Sequence, residues 1–306
     1  MATTSTPRDA AEVTRAIAAG PTRTIETEAA ALATWTFGQG PDLVLIHGWP
    51  LHAATFRHLV PALARAFTCH LIDLPGAGQS GRLRGGGPNK LRRAAAAVGE
   101  VVDALGLTRF GVYAHDSGAV VARLAAAAAG DRVDALVLGN TEIPGHRPWQ
   151  VRAMCALAAL PGGGRLLLES LRLTLVRRSP MTLGACFRDP AYGDGEFYEL
   201  FIAPLLRSRA LAAGQLDLLH DFDWALIDAL EDVHRQLRAP VRMIWGDGDP
   251  YFPLAKARAM VEQFAGEASL SIIPGARLFA HEDAADEVLA VAIPFLEENM
   301  SRETAA

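Results

Sequence analysis

Four short stretches of the chain hold side chains of the kinds that attack carbon, move protons and stabilise anions. The first is "FGVYAHDSGAVVARL", residues 110–124, where an apolar run meets a small-residue turn and resumes as a helix. Asp116 and Ser117 stand side by side in it, and a sharp strand-to-helix turn exposes only one residue. Such a turn leaves room only for small residues two positions before and two positions after the exposed one. Centred on Asp116, those positions are Ala114 and Gly118; centred on Ser117 they are His115 and Ala119, and the imidazole would clash with the turn. Asp116 is therefore the expected nucleophile, and Ser117 contributes its backbone N–H. Taken alone, the stretch also fits an ordinary turn with an Asp cap.

The other three stretches lower the weight of that plain alternative. "LIHGWP" (45–50) ends an early apolar run. "IWGDGDPYFP" (244–253) ends a late one with Asp247 and Asp249, expected to be exposed at the sheet edge, and "GARLFAHED" (275–283) follows the last run with His281. With these residues assembled, the chain resembles the α/β-hydrolases over essentially its whole length. Its HGxP and HDxG motifs resemble the branch that contains epoxide hydrolases and haloalkane dehalogenases. The resemblance implies the chain order nucleophile, acid, histidine, carried by Asp116, Asp249 and His281. It also implies an oxyanion hole made by the backbone N–H groups of Trp49 and Ser117. Asp249, one residue before a Pro, is preferred as the acid over Asp247. In a second branch pattern the acid falls on Asn140, which is no carboxylate; Glu142, two residues on, is then expected behind the reacting groups or facing the substrate.

An Asp nucleophile sets the reaction class. A carboxylate is ionised at neutral pH and attacks an electrophilic sp³ carbon directly, opening an epoxide or displacing a halide. The product is an alkyl ester of the enzyme, whose hydrolysis needs a base-activated water and an oxyanion hole. His281 is the expected base. The leaving group needs its own donor, and the candidates are Tyr192, Tyr198, Trp149, His146 and Glu142. Ser117 stands where the resemblance would put a halide-binding indole or an arginine, which favours epoxide hydrolysis over haloalkane or haloacid dehalogenation. A Ser-type esterase or lactonase, or a cofactor-free lyase on the same fold, ranks lower. The expected substrate is a small, apolar to moderately polar organic molecule.

The elements that would position these residues follow from the same sequence. Apolar runs at 43–48, 69–76, 110–115, 134–140, 241–247 and 270–276 alternate with helix-like segments. Continuous apolarity marks strands buried on both faces, so the expected fold is α/β, a doubly wound, mostly parallel sheet. Residues 24–38 read as two hairpin-like strands. No buried-strand run interrupts residues 141–238, an interval too long for a structureless loop. The expected organisation is a core of residues 1–140 and 239–306 with an inserted helical cap at 141–238. A hydrophobic content of 50% against 21% charged residues supports a globular core. A net charge of −5 carries no basic footprint for nucleic acid. The N-terminal residues lack an apolar core for export, and no stretch suits a membrane span. Cys69, Cys155 and Cys186 are widely spaced, which reads as reduced thiols of a cytoplasmic protein with no metal site or cofactor. The glycine-rich segment at 84–90 lacks the GK[ST] ending of a phosphate loop.

Overall fold

The computed structural model describes residues 5–220 and 222–300. Eight strands form one sheet: β1 (Arg23–Glu26), β2 (Ala31–Gly38), β3 (Asp42–Ile46), β4 (Thr68–Ile72), β5 (Phe110–Ala114), β6 (Val133–Gly139), β7 (Val241–Gly246) and β8 (Ala268–Ile273). Their order is β1-β2-β4-β3-β5-β6-β7-β8. The first two strands run antiparallel to their neighbours, and β4 onward is parallel. The apolar runs form the strands expected of them because both faces are covered: Leu43, Val44 and Leu45 have no exposed surface. Edge strand β8 is only partly covered along most of its length.

Helices α1 (Ala10–Ala19), α2 (Val60–Leu63), α3 (Lys90–Ala104) and α4 (Asp116–Ala129) precede β6. Residues 55–67, whose spacing in the sequence is helical, do not form one long helix. The chain forms a 3₁₀ turn at Ala53–Phe56 and then the short α2, with Pro61 in the first turn of α2, where its missing N–H leaves no helical hydrogen bond unmade. Between β6 and β7 the described residues contain only helices and turns, from Trp149–Ala159 to Leu230–His234.

The register places the reactive residues. Ile46 pairs with Ala114, Ala114 with Leu138, and Gly139 with Ile244. The C-terminal ends of β3, β5, β6 and β7 therefore lie side by side, and Trp49, Asp116, Asn140 and Asp249 all emerge at that edge. This is where open α/β sheets take ligands.

Candidate active site

β5 runs through His115 into α4, and Asp116 at the junction has φ +50°. That value lies in the left-handed region, costly for a residue with a side chain and common where a site holds it in place. The neighbourhood explains why the flanking residues are small. A Cβ on Gly118 would lie 2.1 Å from the His47 carbonyl oxygen, and one on Gly48 would lie 2.5 Å from Asp116 Oδ2. The backbone N–H of Asp116 donates to the Asn140 carbonyl at 2.7 Å, tying the turn to the end of β6.

Trp49 donates its backbone N–H to Asp116 Oδ2 at 2.7 Å, and the Ser117 backbone N–H is a second donor to the same carboxyl. The Ser117 hydroxyl is 3.5 Å from Oδ2. The structure thus brings Trp49, Asp116 and Ser117 together. The carboxyl lies at the floor of an apolar cavity whose wall includes Val151, Leu167, Leu171, Leu219, Phe222 and Leu278. Burial, and then the nearby Glu142, push Asp116 well above the usual carboxylate range, while the two N–H donors oppose that rise.

Glu142 also lines the cavity. Burial raises its carboxyl as well. Thr141 Oγ1 lies 2.9 Å from the Asp116 carbonyl oxygen, 2.9 Å from Arg123 Nη2 and 3.0 Å from Glu142 Oε2. The guanidinium can only donate and the carbonyl can only accept, so the single hydroxyl proton goes to Asp116. The third contact is then a hydrogen bond when Glu142 itself carries a proton. Asp116 and Glu142 are thus two neighbouring buried carboxyls, both raised by burial, with the Arg123 guanidinium and the Thr141 hydroxyl opposing the rise in Glu142. Two backbone N–H groups and the N-terminus of α4 favour Asp116 as the anion.

Asp249 is buried, contrary to the exposed position expected for it. Its Oδ1 accepts the N–H groups of Tyr251 and Phe252 at 2.7 and 3.2 Å, and its Oδ2 accepts Asn140 Nδ2 at 2.7 Å. Burial pushes it up to about 7 despite those donors. Asp247 stays exposed, capping the turn at Gly275. Asn140, unfit to be the acid, is the residue that holds it.

His281 does not join this constellation, which corrects its expected role as the base. Its Nε2 lies 2.7 Å from Thr55 Oγ1, whose proton goes to Glu282 Oε1 at 2.7 Å, so His281 donates. Its ring stacks on His115 at a centroid distance of 3.8 Å. Burial, with Arg57 and His58 nearby, lowers it to about 3, and it is neutral. The physical cause is the course of the chain after β8. Leu278 and Phe279 face the cavity, Phe279 N–H is pinned to the Cys186 carbonyl at 3.0 Å, and His281 follows on the far side.

Four of the five leaving-group donors also lie elsewhere. Tyr192 donates its hydroxyl toward Glu282 and sits near His58. Tyr198 carries the Arg177 guanidinium on its ring face. Trp149 is 56% exposed, and His146 Nε2 is bound to the Tyr251 carbonyl at 2.8 Å. Only Glu142 reaches the cavity. Sequence reasoning missed Tyr251 and Cys186, which line the cavity; the one signal was Tyr251 directly following the Asp-Pro pair. Burial keeps the Cys186 thiol neutral. Among the described residues no group of three or more His, Cys, Asp or Glu side chains is arranged to hold a metal ion, and no helix is long and apolar enough to cross a membrane.

The chain belongs to the alpha/beta hydrolase fold family, whose pattern it matches over residues 41–285. A 44-residue stretch is 59% identical to the pimeloyl-acyl-carrier-protein methyl ester esterase of Aeromonas hydrophila, covering 14% of this chain but only 17% of that relative. The same esterase of Aeromonas salmonicida is 29% identical over 240 residues, 76% of this chain and 87% of the relative. A soluble epoxide hydrolase of a Corynebacterium species is 42% identical over 87 residues, 28% of this chain and 30% of the relative. An alpha/beta hydrolase fold protein from Burkholderia ambifaria, known as a crystal structure, superposes with a TM-score of 0.73 at 25% identity. That match covers 89% of this chain and 97% of the other.

Proposed function

We propose that the chain takes a small apolar epoxide into the cavity and opens it with Asp116. The carboxylate attacks a ring carbon, while Glu142 gives its proton to the departing oxygen. The observation that carries this reading is the Asp116–Glu142 pair on the wall of an apolar cavity, with the Trp49 N–H 2.7 Å from the Asp116 carboxyl. A base and an acid kept apart in protonation by their surroundings are the pattern of acid–base pairs in active sites.

The halide reading lacks its donors. The Trp49 indole N–H donates to the Gln215 carbonyl at 2.9 Å, and Trp149 and His146 do not line the cavity. The esterase reading would need Ser117 at the exposed point, and Asp116 has the left-handed backbone instead. Styrene oxide and a 1-haloalkane offered separately test the choice. Epoxide consumption with alkylation of the peptide bearing Asp116 is expected, with loss of that reaction in Asp116→Asn. Halide release without any reaction of the epoxide would overturn the reading.

A further inference from the structure

Hydrolysis of an ester on Asp116 needs a base, and no imidazole is in place to act as one. All nine histidines of the chain fall within the described residues, and none lines the cavity. His281 donates to Thr55, and His115, next to the nucleophile in sequence, accepts the Gly48 N–H at 3.3 Å. Leu278 occupies the cavity wall in the segment after β8, and Asp249 lies outside the lining. Of the other polar groups of the wall, the Ser117 hydroxyl has only a 3.5 Å contact to Asp116 Oδ2, the Cys186 thiol is kept neutral by burial, and the rest are hydrogen-bonded within the protein. The Trp49 indole donates to Gln215, the Tyr251 hydroxyl to Thr182, and the Thr182 hydroxyl to Val176. A water held ready for attack needs two to four polar partners. Glu142 remains: once it has given up its proton it is a carboxylate beside the new alcohol, with no histidine on the cavity wall to relay a proton.

We infer that the Glu142 carboxylate does not activate water in the cavity, and that the chain is a single-turnover acceptor, which captures an apolar epoxide as a hydroxyalkyl ester of Asp116 and keeps it. This rests on the reading of Asp116 given above. In the step, the bond from Asp116 Oδ to carbon forms and the ring C–O bond breaks. The electron pair stays on the ring oxygen, which takes the proton of Glu142. No atom leaves, so the protein gains the mass of the whole epoxide.

The test is a time course of wild-type protein with excess styrene oxide, following intact mass and diol over several hours against an Asp116→Asn blank. One epoxide mass per chain is expected, stable over that time, with diol no higher than one equivalent. Hydroxylamine should release the adduct, since it cleaves an ester and spares a thioether on cysteine. Diol rising past one equivalent overturns the inference and leaves the Asp116 reading standing. Absence of both adduct and diol, or an adduct that resists hydroxylamine, overturns that reading and the inference with it. Leu278→His puts an imidazole on the cavity wall and is expected to raise diol at least tenfold above one equivalent. A folded variant that still stops at one equivalent counts against the lack of an imidazole on the cavity wall as the reason the ester persists. The wild-type time course decides the main point whether or not the variant folds.

Discussion

Glu142→Gln separates the two roles assigned to the buried carboxyl pair. The amide has nearly the shape of the carboxyl, and its N–H can donate to Thr141 Oγ1 in place of the contact now 3.0 Å long. Thr141 would still donate to the Asp116 carbonyl and accept from Arg123, so the fold should tolerate the change. What is lost is the acid, and general acid catalysis contributes on the order of 10²–10⁴ in rate. The rate of ester formation at pH 7 should fall by about that factor. The pH profile should change as well. In the wild type both carboxyls are raised, so acid quenches Asp116, alkali strips Glu142, and the rate is bell-shaped. In the variant the alkaline limb disappears, while the acid limb, which reports Asp116 beside a neutral neighbour in both proteins, stays in place. Intact-mass kinetics from pH 5 to 9 read both effects. A rate within twofold of wild type at pH 7, with an unchanged bell, would refute the assignment of Glu142 as the acid.

Ser117→Ala should retain most of the ester-forming rate, because the Ser117 backbone N–H is kept and its hydroxyl is 3.5 Å away; a loss beyond tenfold would show that the hydroxyl takes part. Arg57→Met should cost about 3–5 kcal/mol in a urea melt by leaving Glu282 buried without its partner, since Arg57 Nη1 lies 2.9 Å from Glu282 Oε2 and both side chains are almost wholly enclosed. Replacing Glu282 by Met as well should recover much of that loss, and a single-variant cost under about 1 kcal/mol would contradict the network. Asp249 binds more protons folded than unfolded between its ordinary 3.8 and the raised value of about 7. Its contribution to stability therefore falls as pH rises through that window. At roughly 1.4 kcal/mol per pH unit the upper bound is about 4 kcal/mol. Asp249→Asn should flatten this part of the slope in melts between pH 4.5 and 7.5, and an unchanged slope would place the titration elsewhere.

Local rules carried a large part of the fold. Continuous apolar runs became strands because the central ones are covered on both faces, with edge strand β8 only partly covered, and the break at residues 55–67 shows where helical spacing alone misleads. The long interval without strands was legible as helical for the same reason. Within the site, the residues closest in sequence to the strand ends were the easiest to place: Trp49, Asp116, Ser117 and Glu142 all reach the cavity. The donors expected from the helical interval failed because a tyrosine's direction depends on what it packs against. Tyr192 turns to Glu282, 90 residues away, and Tyr198 to Arg177.

The sequence by itself determined the centre of the turn at Asp116. The requirement for small residues at Ala114 and Gly118 comes with the tight strand-to-helix turn and is readable within two residues on either side, although the atom that excludes a Cβ at Gly118 is the His47 carbonyl at the end of β3. Only the tertiary structure decided the fate of His281. Its ring is claimed by Thr55, 226 positions away, and the side of the chain that follows β8 toward the cavity presents Leu278 instead. A histidine's role is set by which hydrogen-bond partner wins, and that competition exists only once the sheet, the turn after β8 and the 3₁₀ turn carrying Thr55 have come together.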